Sequence, residues 1–340
     1  MKTSVIDIGL QWSNPQLVKA IAAAFAQTEP ELVPTFIVST TGSTGVVKRV
    51  AISTSALAKS AQLSNSILGA KSGDIWSLLL PTEHIAGLNV LARSVLLESE
   101  VVGVDNRADY SAIVPTQLHK ALYGDSVLLN HLKNCKAVLV GGAALQKPLL
   151  ESALKSGINL VTTYGMSETC GGFVYDHLPF PGVNIDLTST GLIKVKGPIL
   201  ASGYEGNEKL WRESFDNGWF VTNDLGEIVD GKLFVLGRAD DVIISGGENV
   251  SLTAIESLLS TAFPGVNFLA TSIPDLQWGA KLCLISDKSL ASNEIAAILL
   301  NNLGRAAVPK EYLTLGEIPQ LGIGKPDRVK AAQLFIDKQR

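Results

Sequence analysis

The chain has 340 residues, a formal net charge of −4 from 28 Lys+Arg against 32 Asp+Glu, and 46% hydrophobic with only 18% charged residues. This apolar, weakly acidic composition excludes a mainly disordered chain and gives no general pull toward nucleic acid or anionic membranes, so any phosphate site has to be built locally. The length predicts two domains with interior enough for a sizeable core.

Along the chain, Leu17–Ala26 has helical periodicity and Thr35–Ser39 reads as a short β-branched strand. No apolar run reaches the roughly 18 residues of a membrane span. The most apolar stretch, Ile75–Leu97, is interrupted by Glu83, His84 and Arg93. Leu118–Leu122 and Val127–Leu132 are helix-like, Lys136–Val140 is strand-like, and Lys147–Lys155 opens a helix with Pro148 in its first turn. From Gly182 to Leu236 short strands with glycine turns take over: Leu192–Lys196, Trp219–Thr222, Glu227–Val229 and Lys232–Leu236. Beyond Asp240 the pattern is α+β, with helices expected at Thr253–Ala262 and near the C-terminus. The expectation is an α/β protein: a large N-terminal α/β domain with a β-rich part (1–240) and a small, mobile α+β C-terminal domain (241–340). Strand–turn–helix alternation places ligands at the carboxyl ends of the strands. Three widely spaced cysteines (Cys135, Cys170, Cys283), four scattered histidines and a start without a secretory core fit a cytoplasmic protein with reduced thiols.

The segment Ser39-Thr40-Thr41-Gly42-Ser43-Thr44-Gly45-Val46-Val47-Lys48 comes directly after the apolar Phe36-Ile37-Val38. Glycines let backbone N–H groups approach an anion, hydroxyls add donors and Lys48 adds a point charge, which together make a polyphosphate cradle. The Walker A spacing is absent.

Together with the segments downstream of it, this loop resembles the S-[ST]-G-[ST]-T-G-x-P-K-G signature of the adenylate-forming superfamily of acyl-CoA synthetases, adenylation domains and luciferases. Those further segments, in the superfamily's order, are Gly141-Gly142-Ala143, Tyr164-Gly165-Met166-Ser167-Glu168-Thr169, Gly218 to Gly226, Gly237-Arg238-Ala239-Asp240-Asp241 and Gly322 to Arg328. The resemblance implies a two-step reaction. A carboxylate attacks the α-phosphorus of ATP, and a thiol, usually coenzyme A, then displaces AMP from the acyl-adenylate. It implies that Ser39–Lys48 holds the β- and γ-phosphates and that Glu168 binds Mg²⁺. It further implies Ser167 on the α-phosphate, Tyr164 near the adenine and Gly141–Ala143 beneath the purine. Asp224 is expected on the ribose hydroxyls and Arg238 on the ribose or phosphate edge, although Thr222-Asn223-Asp224 departs from the usual T-G-D. Lys325 is expected to bridge substrate carboxylate and α-phosphate, although Pro319-Gln320-Leu321 departs from P-[RK]-T. Asp240 corresponds to the hinge of the small domain, and Gly246 and Gly247 to the loop approaching coenzyme A.

Leu80-Pro81-Thr82-Glu83-His84-Ile85-Ala86-Gly87 resembles the superfamily's P-[LM]-x-H-x-x-G segment, whose histidine lies between the acyl and thiol sites. Arg93 stands nine residues on, in apolar surroundings where an arginine is costly unless it meets an anion. That anion is either a protein acid such as Glu98 or Glu100, or a second carboxylate on the substrate. The His-to-Arg spacing, Val114-Pro115-Thr116-Gln117-Leu118 and the short chain resemble the o-succinylbenzoate–CoA ligases of menaquinone biosynthesis in their compact form. Ligases for other aryl or short acyl acids, or a nucleotide-binding pseudoenzyme, are the alternatives. Superfamily members usually carry a long segment before the phosphate loop. A trimmed N-terminal domain with apolar surface for a homodimer is therefore expected.

Overall fold

A computed structural model of the chain describes residues 5–9, 12–29, 32–41, 47–320 and 326–338. The elements in chain order begin with β1 (Val5–Ile8), α1 (Asn14–Ala26), β2 (Thr35–Thr41), β3 (Val47–Ser53), α2 (Thr54–Ile67), β4 (Trp76–Ser77) and α3 (Ile85–Leu96). They continue with β5 (Tyr110–Ile113), α4 (Pro115–Tyr123), α5 (Ser126–Lys133), β6 (Ala137–Val140), α6 (Lys147–Lys155), β7 (Leu160–Met166), β8 (Gly171–Tyr175) and β9 (Leu178–Pro179). The β-rich part contributes β10 (Asn184–Leu187), β11 (Leu192–Lys196), β12 (Gly203–Tyr204), α7 (Glu208–Glu213), β13 (Phe215–Asp216), β14 (Trp219–Val229) and β15 (Lys232–Arg238). The remainder holds β16 (Val242–Ser245), β17 (Glu248–Ser251), α8 (Leu252–Ala262), β18 (Phe268–Asp275), β19 (Gly279–Ser286), α9 (Ser292–Leu303), β20 (Glu311–Thr314) and α10 (Arg328–Lys338).

The chain divides into two compact units. The first comprises Met1–Leu145, Ser152–Thr222 and Glu227–Phe234; the second comprises Gln146–Glu151, Asn223–Gly226 and Val235–Arg340. Residue 240, where a domain boundary is expected, lies in a short 3-10 turn, Ala239–Asp241.

The first unit contains a sheet ordered β1-β2-β3-β12 and a six-stranded sheet ordered β4-β5-β6-β7-β8-β9. Strands β4 to β7 run parallel. Every residue of β5 and β6 is buried, the continuous apolar pattern of strands covered on both faces. The helices between them are the crossovers that parallel pairing requires. Helix α1 begins earlier than its apolar stripe suggests: Ser13 N–H bonds the Gln16 side chain at 2.9 Å, and Pro15 sits in the first turn. Its buried stripe, Leu17, Ile21 and Ala24, packs with Phe36, Ile52, Leu57 and Leu88 in one core cluster. A second cluster is centred on Trp76, Tyr110, Leu139, Phe173 and Phe180.

One expectation is corrected by the strand pattern. Residues 219–222 and 227–229 are one strand, because the inward alternation of Phe220 and Thr222 continues through Asp224 and Gly226. The ends of the segment Ser39–Lys48 lie in strands: Ser39 pairs with Arg49, Thr40 with Lys48 and Thr41 with Val47 in the antiparallel β2–β3 hairpin. β-Branched threonine suits such pairing. In the second unit, the sheet β17-β16-β19-β18, with β20 on β19, is covered on both faces. Ile255, Leu259, Leu282, Leu284, Ile295 and Leu299 pack on one face, and Ile273, Ile285, Ala331 and Phe335 on the other. The three cysteines are free and buried, and burial pushes the Cys135 thiol up to about 11. Among the described residues no helix is long and apolar enough to cross a membrane.

Candidate functional site

The hairpin register sets Lys48 opposite Thr40, next to the tip. Gly42, Ser43, Thr44 and Gly45 lie outside the described residues, as does Lys325. Arg49, the next cation along β3, is taken up by Asp7 at 3.0 Å and Glu205 at 2.5 Å. Lys48 instead extends its ammonium over the ring of Tyr204, 5.0 Å from the centroid. The Tyr204 hydroxyl donates to Oε1 of Glu168 at 2.7 Å. The structure thus brings the phosphate-loop lysine and the expected metal acid together around a tyrosine that lies outside every sequence motif.

Glu168 lies in a 3-10 turn, Ser167–Thr169, between β7 and β8, and is only 8% exposed. The turn is held from several sides. The Thr169 hydroxyl accepts from Met166 N–H at 2.9 Å and donates to the Gly171 carbonyl at 2.9 Å. The Cys170 carbonyl accepts from Ser60 of α2 and Asn89 of α3. Gly165 is required by packing, since a Cβ there would run into the Gly171 carbonyl. Among the described residues no three His, Cys, Asp or Glu side chains group into a metal cage. A single buried carboxylate fits Mg²⁺, which is commonly held by one or two acids and substrate phosphates.

Tyr164 packs its ring 5.5 Å from Phe173. Gly141 lies at the carboxyl end of β6, where a Cβ would collide with Thr163 of β7; Gly142 is next, with φ +82°. The close approach of two strands therefore accounts for Gly141 without any ligand. Ala143 continues the same loop.

His84 is the N-cap residue of α3. Gly87 lets that helix pass the Pro81 carbonyl, which a Cβ would strike. Gln117 fastens the preceding segment by donating to the Leu79 carbonyl at 2.8 Å. Arg93, in the last turn of α3, is 4% exposed. Among the described residues neither Glu98 nor Glu100 pairs with it. Its guanidinium lies over the Trp76 ring, 4.9 Å from the centroid, and donates to the Tyr175 hydroxyl at 3.3 Å, while Nε has no partner among the described residues. Burial lowers its pKa, opposed only by Tyr175.

In the second unit Asp224 is buried on β14 and meets Arg238 at 3.4 Å. Arg238 also forks onto both oxygens of Asp240 at 2.8 Å, and this bonding holds its pKa above the usual arginine value. Gly246 and Gly247 have φ of +61° and +85°, and the ring of Trp278 closes over Gly246. Lys310 lies over the same indole, 4.4 Å from the centroid.

Residues 12–198 match the model of the AMP-binding enzyme family. The chain belongs to that family. The family match takes in Lys48, His84, Arg93 and Glu168, and ends before Asp224. A probable 2-succinylbenzoate–CoA ligase of Mycobacterium tuberculosis is 34% identical over 326 residues, spanning 88% of this chain and 84% of the relative. The 2-succinylbenzoate–CoA ligase of Listeria monocytogenes is 29% identical over 89% of this chain and 72% of its own length. Among solved members, o-succinylbenzoate CoA synthetase of Bacillus subtilis, in complex with the acyl-adenylate OSB-AMP, superposes with a TM-score of 0.75 at 28% identity, over 87% of this chain and 68% of that one. The same protein has been captured with ATP and magnesium ion. MatB of Rhodopseudomonas palustris, bound to ATP, shares the fold at a TM-score of 0.80 and 23% identity, over 90% and 69% of the two chains.

Proposed function

We propose that the chain is an ATP-dependent acid–CoA ligase that converts 2-succinylbenzoate to its CoA thioester, with release of AMP and pyrophosphate, as a cytoplasmic step of menaquinone biosynthesis. The observation that carries the substrate assignment is Arg93. A buried guanidinium that, among the described residues, meets no carboxylate and has no partner for Nε is complementary to an anion brought by the substrate. Nine residues of α3 separate it from His84, about 13 Å of helix rise, and its side chain tilts back toward the helix N-terminus. In this reading one carboxylate of the aryl diacid reacts near His84 and the other is seated at Arg93.

In this reading Ser39 to Lys48 bind the β- and γ-phosphates, and Ser167 and the Gly141–Ala143 loop frame the α-phosphate and adenine beside Tyr164. Glu168 holds Mg²⁺, which supplies charge neutralisation at the phosphates. Asp224 and Arg238 take the ribose. The substrate carboxylate forms a bond to the α-phosphorus, the bond to the β-phosphate oxygen breaks, and pyrophosphate leaves. Repulsion between anions is the main obstacle, so Lys325 bridging carboxylate and α-phosphate contributes more than a nucleophile would. Rotation about Asp240 then brings the Gly246-Gly247 loop to coenzyme A, whose sulfur bonds to the acyl carbon as AMP departs. A homodimer completes the proposal.

Pyrophosphate release with a panel of carboxylic acids, then thioester detection, tests the reaction. Arg93→Ala is expected to raise KM for 2-succinylbenzoate at least about thirtyfold, the loss typical of a buried charge partner, with KM for ATP unchanged. An unchanged KM for the diacid, or equal use of benzoate, overturns the assignment.

A further inference from the structure

We infer that Tyr204 is a positioning residue for the metal–nucleotide site, acting as a neutral spacer between Lys48 and Glu168; this rests on the reading of Glu168 as the Mg²⁺ ligand. An ammonium and a carboxylate close enough to share one phenol would ordinarily pair directly, and each would then be withdrawn from its ligand. Among the described residues no ion pair joins them. Tyr204 offers Lys48 the face of its ring and offers Glu168 its O–H. The first is a cation–π contact, which holds a cation without neutralising it. The second occupies Oε1 alone, so Glu168 has Oε2 to present as a monodentate ligand to a cation that demands near-ideal octahedral geometry.

The backbone around Tyr204 is built for this task. Ala201 N–H bonds the Glu168 carbonyl at 2.8 Å, Ser202 N–H bonds the Ala51 carbonyl at 2.8 Å and Glu205 N–H bonds the Arg49 carbonyl at 2.8 Å. Tyr204 itself pairs with Val50, two residues from Lys48. Five consecutive residues thereby clip the turn carrying Glu168 to the strand carrying Lys48. Trp211 packs edge-on against the Tyr204 ring with centroids 5.2 Å apart, which fixes its plane. A phenol is protonated at neutral pH, so the hydroxyl is available as the donor to Glu168.

The test is calorimetric titration of ATP into the full chain, with Mg²⁺ and with EDTA, on wild type, Tyr204→Phe, Tyr204→Leu and Glu168→Gln. Wild type is expected to bind ATP more tightly with Mg²⁺, and Glu168→Gln to lose that gain. Tyr204→Phe keeps the ring, its packing on Trp211 and its metal-free ATP affinity, but loses about tenfold of the Mg²⁺ gain, the worth of one hydrogen bond to a charged group. Tyr204→Leu also loses the seat of Lys48 and binds metal-free ATP severalfold more weakly. A Phe variant with the full Mg²⁺ gain overturns the inference and leaves the Glu168 reading intact. So does a Phe variant weakened equally with and without metal, which is the signature of lost packing. Absence of any Mg²⁺ gain in wild type overturns the Glu168 reading itself, and the inference with it.

Discussion

Around Tyr204 an ammonium and a carboxylate are kept on different parts of one phenol, whereas around Arg328 a guanidinium is closed on by two carboxylates. Arg328, at the start of α10, bonds Asp241 through Nε at 2.9 Å and Nη2 at 3.1 Å. It meets Glu256 through Nη1 and Nη2, and donates to the Ala270 carbonyl at 2.7 Å. Glu256 in turn accepts from Ala270 N–H at 2.8 Å. Burial alone would lower the Arg328 pKa, but Glu256 and Asp241 together hold it above the usual value. The two arrangements separate charges that must remain available to ligands from charges spent on holding helices to a sheet. A direct pair satisfies both members, and a neutral intermediary leaves both reactive.

The largest test of that distinction is Arg328→Leu. It strands Asp241 and Glu256 in a buried setting without their cation, a loss of about 3–5 kcal/mol. Hydrogen exchange should then accelerate at Ala270 and along β18 and β19 of the second unit while Val138 in the first keeps its protection. Equal acceleration in both units would break the comparison, because the network would no longer be local to one of them.

Lys48→Met is the complementary change and the next in size. The side chain is joined to no acid among the described residues, and its contact with the Tyr204 ring is worth about 0.5–1 kcal/mol at most. Thermal stability should therefore shift little, while Mg²⁺–ATP affinity falls about tenfold or more, as expected for loss of a charged phosphate contact. A variant destabilised as strongly as Arg328→Leu would show that Lys48 is a structural charge after all.

These two sites also differ in how far they are legible before folding. Lys48, Glu168, Asp224 and Arg238 each sit in a short linear pattern whose residue types carry their own chemistry, so their order along the chain is informative. Tyr204 carries no such pattern. Its partner Glu168 lies 36 residues away, brought alongside by the Ala201 N–H to Glu168 carbonyl bond, while the pairing of β12 with β3 brings in Lys48. Arg328 reaches Asp241 across 87 residues and Glu256 across 72. Glycines are legible as necessary but not for the right reason: Gly165 and Gly87 answer to neighbouring backbone carbonyls and Gly141 to the Thr163 side chain, whose approach no local pattern encodes. The turn composition of Asn223-Asp224-Leu225-Gly226 puts Asp224 beyond the end of its strand; tertiary alternation along β14 overrides that preference. The α/β class survives such errors, since it depends on the succession of apolar segments rather than on their ends.

His131 offers a third treatment of an ionisable group, and the smallest effect. It is buried on α5, and Nε2 has no partner among the described residues. Burial lowers its pKa, partly opposed by hydrogen bonds to the Val104 and Asn106 backbone and by the charge of Asp105. The folded chain thus keeps the imidazole neutral where the unfolded chain would protonate it. With the folded pKa below the unfolded value of about 6.5, the contribution to stability is present above that pH and is lost as pH falls through it. Melting curves between about pH 7.5 and pH 5.5 should show the midpoint dropping by a few degrees, roughly 2–4 °C per kcal/mol for a unit of this size. His131→Gln, which cannot take up the proton, should start lower and lose less over the same interval. If both proteins lose the same amount, the acid sensitivity belongs to the paired carboxylates around Arg328 rather than to a neutral base, and the two-way comparison of charges would suffice.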